Sequence, residues 1–456
     1  MHTIDGLLSF IKKDDFSQFA SETNVDKHSK KPFGELLFKL LLYCLVTEKD
    51  NSLRGMRSAL ESTIFRALAN ISEDLSVAHS SISERLNTIN PLYFEKIYKH
   101  CIQKYGTDVK ADANPVVSFD STIVSLSTSL IKIGYNLKGG DAQSYRLLKF
   151  TVGYSGLPEC ICFYTDQTYN SENVALTKTI LANQITDDQI NVFDRGITAR
   201  HNYDKFTEKS ILFVSRINAT AKHELIKKLK IKGSQNTKTL KIISDTWVYL
   251  FGEGGKKSIH PVRLIKATTK ADGTLLAFTT NLKDMTATEI TEIYKSRWDI
   301  EVFFKFIKQH LNFSHLLNRT ENRIKVVMYV TMTLAVLLLA YKKMNKLQGY
   351  KIPKRKFAQA LENDLIYALV ILCNGDKAIA RKMIYKIPLN VPNSCGGDTN
   401  RGGVSLFLNR TIVGKLTYRY SFIAKSFSSF SSLALSSSII FCCSCKAFMA
   451  TTLKAV

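Results

Sequence analysis

Three carboxylates in this chain stand in settings suited to chemistry on phosphate esters. Asp120 follows the apolar run Pro115-Val-Val-Ser-Phe, and Asp194 follows Gln189-Ile-Asn-Val-Phe, so each is expected to close a strand. Glu301 lies within Thr286 to Leu311, 26 residues without Gly or Pro. Phosphodiester chemistry needs charge neutralisation at the scissile phosphate and an activated oxygen nucleophile, which two Mg²⁺ ions about 3.5–4 Å apart supply. Mg²⁺ prefers hard oxygen ligands and keeps several waters, so a few carboxylates suffice. In open α/β sheets, ligands gather beyond the carboxyl ends of strands, where both aspartates are expected. Each element alone is common, and an Asp after a strand is often only a turn or a helix cap.

The third carboxylate needs a helix to carry it. Thr286-x-x-Glu289 reads as a capping box that opens a helix through Leu311. At about 100° per residue, Ile293, Ile300, Phe304, Ile307 and Leu311 fall on one apolar stripe. Tyr294, Arg297, Glu301 and Lys308 fall on a second stripe, within roughly 60° of arc beside the first. A helix anchored by the first stripe thereby points a carboxylate into a cleft. The plainer reading is an amphipathic helix on which Arg297 and Glu301 pair, for about 0.2–0.5 kcal/mol.

The remaining elements suggest how these pieces are held. Residues 1–105 read as helices, with Leu36 to Leu45 strongly apolar and Ser81-x-x-Glu84 a second capping box. Arg54, Arg57, Arg66 and Arg85 on these short helices fit either a helix-turn-helix-like DNA reader or a plain bundle. From 106 to 217, runs at Tyr145–Tyr154, Glu159–Tyr164, Gln189–Asp194 and Ile211–Ile217 read as strands, with helices over 171–181 and 199–208. Their alternation predicts an α/β layer. Residues 218–285 read as a β-rich insertion, with runs at Leu240–Leu250, Val262–Thr269 and Leu275–Leu282. Gly252, Gly254 and Gly255 lack the spacing of a phosphate-binding loop and read as a turn. The core resumes over 286–345, a helical segment follows over 346–395, and 396–456 forms a distinct tail.

Three motifs together resemble the insertion-sequence-four family of bacterial DDE transposases. Tyr294-(2)-Arg297-(3)-Glu301-(6)-Lys308 is similar to that family's signature, with Trp298, Ile300 and Phe304 in the surrounding text. Phe119-Asp120-Ser121-Thr122 resembles its first Asp motif, and Phe193-Asp194-Arg195-Gly196 its second. The resemblance covers about residues 20–345 in organisation. It implies an RNase H-like mixed-sheet core interrupted by the β-rich insertion, flanked by an N-terminal helical DNA-binding domain and a C-terminal helical segment. It implies cleavage at the ends of a mobile element and strand transfer into target DNA. By carry-over, Asp120, Asp194 and Glu301 hold two Mg²⁺ ions, or Mn²⁺ as a substitute. Tyr294, Arg297 and Lys308 contact DNA phosphates, and Trp247 is the candidate for stacking on a flipped base. Double-stranded DNA (terminal inverted repeats and target) and a second copy of the chain are the implied partners. An RNase H-like nuclease without strand transfer, or a defective product that binds DNA ends without cutting, are the alternatives.

Composition agrees with a polyanionic partner. Lys and Arg number 63 against 39 Asp and Glu, a net charge of +24. Nothing in Met1 to Phe16 reads as an export signal, and the nine cysteines form no zinc or disulfide pattern, so a cytoplasmic setting is expected. Val326 to Ala340 has 15 residues without charge, short of the roughly 20 that cross a bilayer. A buried helix, with no membrane, is the expectation. After Asp398 the final 58 residues carry no acid and eleven serines, with cysteines at 442, 443 and 445. That texture suggests an out-of-frame or divergent end beyond roughly residue 395, and hence the defective-product alternative.

Overall fold

The computed structural model describes residues 13–372, apart from 28–32, 48–51, 70, 72–74, 111–114, 127–134, 137–145, 185, 232–235 and 312–319, together with 375, 376 and 379. The Ser-rich tail over 396–456, its cysteines and most of 373–395 lie outside the described residues.

Among the described residues six helices come first: α1 (Lys13–Thr23), α2 (Gly34–Val46), α3 (Leu53–Glu61), α4 (Thr63–Ala69), α5 (His79–Thr88) and α6 (Pro91–Lys110). Then follow β1 (Val116–Leu126), β2 (Tyr135–Asn136), β3 (Arg146–Tyr154), β4 (Pro158–Tyr164), α7 (Glu172–Ala182), β5 (Ile190–Phe193), α8 (Arg200–Glu208) and β6 (Leu212–Ile217). Four more strands are β7 (His223–Lys228), β8 (Leu240–Leu250), β9 (Val262–Thr269) and β10 (Leu275–Thr280). Helices α9 (Ala287–Lys295), α10 (Trp298–His310), α11 (Glu321–Met344) and α12 (Lys351–Leu372) complete the order.

Among the described residues the ten strands join one mixed sheet, in the order β2-β3-β1-β5-β6-β10-β9-β8-β7, with β4 also on β3. β1, β5 and β6 run parallel, and every other pairing is antiparallel. The β-rich segment therefore extends the sheet outward from β6. β7 (HELIKK), like the two-residue β2, is a strand that sequence pattern did not reveal. It is an edge strand, mostly exposed, with no apolar face to alternate. Lys227 and Lys228 are the kind of charges that discourage further pairing at an edge.

Side-chain alternation along the strands assigns the two faces. Val117, Phe119, Phe193 and Phe213 pack with α7 and α8 on one face. Val192, Val214, Ile265 and Phe278 pack with α9 on the other. On that second side, Phe150 and Val152 of β3 share a further core with α10, α11 and the N-terminal helices. Helix α11 is its axis: residues 328–341 are all buried, so the helix is apolar around its whole circumference. It is long and apolar enough to cross a membrane, yet 89% of its most apolar window is buried within the protein.

Several local expectations are corrected. β1 does not end at Asp120 but continues to Leu126, because β3 pairs with it antiparallel from Ser118 to Leu126. The stretch 286–311 is not one helix. It is broken between α9 and α10, where Ser296 and Arg297 donate their backbone N–H groups only three residues back, to Ile293 and Tyr294. The Ser296 hydroxyl also donates to the Ile293 carbonyl at 2.7 Å, competing with the helical ladder. The Thr286–Glu289 capping box is made. The Ser81–Glu84 box is not, because the N-cap of α5 is Ala78, three residues earlier. Arg66 donates to the Leu60 and Leu75 carbonyls, and Arg85 to Asp26 and the Val25 carbonyl. Those two arginines tie the helices together, leaving Arg54 and Arg57 exposed. Gly254 and Gly255 form a tight turn at φ of 69° and 76°, a conformation open to glycine.

Candidate active site

The parallel ladder between β1 and β5 ends at Phe119 opposite Phe193. The next residues are Asp120 and Asp194, so two separate strands deliver carboxylates at matching register, about one strand spacing (~4.8 Å) apart. Alternation turns both toward the face that carries α9 and α10. Asp194 accepts a hydrogen bond from the Tyr294 hydroxyl at 3.0 Å. Arg297 lies between the remaining carboxylates: its guanidinium is 3.8 Å from Asp120 and pairs with Glu301. The break between α9 and α10 makes this possible, since Tyr294 ends one helix and Glu301 opens the next.

The loop into α9 is fixed from below. Arg263 of β9 and Asp245 of β8 form a buried pair at 2.5 Å, 3% and 4% exposed. The same guanidinium donates to the carbonyls of Leu282 at 3.1 Å and Met285 at 2.7 Å. The strands of the β-rich segment thereby set the entry of the helix that brings Tyr294 to Asp194.

The two aspartates have opposite electrostatics. Burial raises Asp120 to about 6, with Glu172 and Glu301 pushing the same way, against the Ser121 N–H and Arg297. Burial also opposes ionisation of Asp194, but the Arg195 N–H, the Tyr294 hydroxyl, Arg297 and Arg216 prevail and hold it below the usual carboxylate range. The guanidinium nitrogen Nε of Arg297 is buried without a hydrogen-bond partner.

Asp120, Asp194, Glu301, Tyr294 and Arg297 are thus brought together. Lys308 is exposed in the last turn of α10, about 10 Å along the axis from Glu301 at 1.5 Å per residue. Trp247 lies on β8, four strands from β5, roughly 19 Å across the sheet. Trp298, next to Arg297, is 62% exposed. Sequence reading passed over Glu172 and Arg216, which act on Asp120 and Asp194, and Lys149, which pairs with Glu172. Only their place beside the strand ends marks them, and strand order is invisible in sequence.

The donor set, carboxylate oxygens of Asp120 and Asp194 with Glu301 nearby, suits a hard divalent cation. Among the described residues no three His, Cys, Asp or Glu side chains converge tightly enough to form a ready ligand cage. Asp120 and Asp194 form the preset pair, and Glu301 is engaged by Arg297.

Comparison with known proteins points the same way. A sequence described as a candidate transposase, y4zB, from Sinorhizobium fredii is 26% identical over 44% of this chain and 55% of its own length. One from Synechocystis, described as a candidate transposase for insertion sequence element IS4SA, is 25% identical over 51% of this chain and 61% of its own length. The match therefore spans just over half the length of these relatives. A solved piggyBac transposase synaptic complex with hairpin DNA aligns at 10% identity over 85% of both chains, with a TM-score of 0.41, too slight a likeness to bear on the fold. The model of the transposase DDE domain matches residues 112–339, half of the chain, and that span holds all three carboxylates. The chain belongs to the transposase DDE domain family.

Proposed function

We propose that this protein is the transposase of a bacterial insertion sequence, which binds the ends of its element, cuts there and joins the cut strand to target DNA. The observation that carries this reading is the register that sets Asp120 beside Asp194, with Glu301 held over them through Arg297. The strand order β4-β3-β1-β5-β6 with helices on both faces supports an RNase H-like core, and β7–β10 are its β-rich insertion. Asp120, Asp194 and Glu301 would hold two divalent cations, Mg²⁺ or Mn²⁺ in its place, whose chemistry is to neutralise the scissile phosphate and activate the attacking oxygen. Arg297, with one donor uncommitted, suits bidentate contact with a DNA phosphate once Glu301 turns away from it. Tyr294 orients Asp194, and the exposed Lys308 offers a point charge further along the duplex. Trp247 lies far from the carboxylates, so a stacking role there requires DNA that crosses the extended sheet. The motif text around Tyr294 and Glu301 supports membership of the insertion-sequence-four group. Residues 1–105 are the proposed reader of element ends, in a cytoplasmic enzyme that works as a homodimer on DNA.

The test is cleavage of a labelled duplex containing the element's own end, in Mg²⁺, by wild type and Glu301→Ala. Cutting at the end by wild type alone is the expected result. Binding without cutting by both proteins would overturn the enzymatic reading in favour of a DNA-occupying product.

A further inference from the structure

The backbone ladder that aligns β1 with β5 stops one residue short of each aspartate. Something else must fix the carboxylates relative to each other, and the first turn of α7 touches both segments. On the β1 side, the hydroxyl of Ser121, the residue after Asp120, donates to Glu172 Oε2 at 2.9 Å and lies 3.0 Å from the Thr151 hydroxyl. Glu172 Oε1 accepts from Lys149 Nζ at 2.8 Å. Lys149, 1% exposed, also donates to the Asn170 carbonyl at 2.6 Å. Both oxygens of Glu172 are therefore engaged, and its charge is matched by a buried cation.

On the β5 side, Asn173 Oδ1 accepts the backbone N–H groups of Thr198 and Ala199, each at 2.8 Å. Its amide donates to the Thr198 hydroxyl at 3.0 Å. A Cβ on Gly196 would stand 3.1 Å from Glu172 Cβ and Cγ, so the backbone two residues after Asp194 rests directly on Glu172. One helical turn thus grips β1 beside Asp120 and the segment beyond Asp194, from the face of the sheet opposite α9 and α10.

We propose that Glu172 and Asn173 are positioning residues that set the separation of Asp120 and Asp194 for a divalent cation, a role that rests on the metal-site reading above. Lys149 makes this possible by neutralising Glu172 close to an already crowded set of carboxylates. Neither residue touches the reacting atoms. Their effect passes through Ser121 and through the Arg195–Ala199 segment.

Mg²⁺ demands near-ideal octahedral geometry, whereas Ca²⁺ accepts flexible coordination, so a fault of position separates the two ions. The experiment is calorimetric titration of the full-length protein with Mg²⁺ and with Ca²⁺. Ser121→Ala cuts the link to β1 and leaves the Lys149–Glu172 pair intact. Asn173→Ala cuts the link to the other segment, and Asn173→Asp keeps its acceptor. The expected result is Mg²⁺ binding weakened about 10-fold or more in both alanine variants, by the usual effect of outer-shell partners. Ca²⁺ binding should change far less, and Asn173→Asp should restore Mg²⁺ affinity. Equal losses of both ions, or Mg²⁺ affinity unchanged in both alanine variants, would overturn the positioning role. If wild type itself binds no Mg²⁺, the metal-site reading fails, and the positioning role falls with it.

Discussion

Asp120 and Asp194 occupy matched positions on neighbouring strands, yet replacing each by asparagine should move stability in opposite directions. Burial raises Asp120 from 3.8 to about 6. At about 1.36 kcal/mol per pKa unit, keeping it ionised at neutral pH costs the fold at most about 3 kcal/mol. Its side chain is 30% exposed, and solvent screening lowers this to ~1–2 kcal/mol. The sign follows from linkage: the stability tied to a raised carboxyl is fully present below its unfolded pKa and is lost as pH rises through the folded value. In metal-free buffer at about pH 7.5, Asp120→Asn should therefore be ~1–2 kcal/mol more stable than wild type in urea unfolding followed by circular dichroism. The gap should close as pH falls from about 6 toward 4. Asp194→Asn should lose stability at neutral pH. Its folded pKa is depressed, so its contribution is present above the unfolded pKa and disappears as pH falls through the folded one. Melting of Asp120→Asn below wild type at neutral pH, or of Asp194→Asn above it, would refute this account of the site.

Further outcomes follow from the supports. Arg263→Met leaves Asp245 charged and buried and frees the carbonyls before α9. It should cost about 3–5 kcal/mol, and the paired change Arg263→Met/Asp245→Leu much less, as read by thermal unfolding. Tyr294→Phe keeps the ring against Phe278 but removes the donor to Asp194. Carboxyl-carbon NMR should show Asp194 titrating higher than in wild type. Thr286→Ala removes the capping box of α9 and should lower stability by about 1 kcal/mol in the same unfolding assay.

Much of the site was legible because its signals are local. The runs before Asp120 and Asp194 are strands, Val262–Thr269 matches β9 residue for residue, and the Thr286 capping box forms as spaced. The uncharged run Val326 to Ala340, too short to cross a bilayer, also marked α11 as a buried helix. The break at Ser296 was not legible: nothing in the spacing of 286–311 distinguishes one long helix from two that share a stripe. Nor was the end of β1, because a strand extends as far as its partner reaches, and β3 reaches Leu126. Arg66 and Arg85 fitted either a DNA reader or a plain bundle, and only packing reveals that they satisfy carbonyls between helices.

The sequence by itself determined the chemical types and the carriers: two strand-borne aspartates, a helix-borne glutamate, an arginine one turn before it and a tyrosine two turns before it. Tertiary structure decided which of them meet. Parallel pairing of β1 with β5 sets Asp120 beside Asp194 although 73 residues lie between them. The kinked helix lets one guanidinium reach two carboxylates, and strand order carries Trp247 away from them. Propensity and periodicity act over a few residues and are written in the chain. Register, strand order and the desolvation that separates two aspartates arise only when distant segments share a sheet and exclude water.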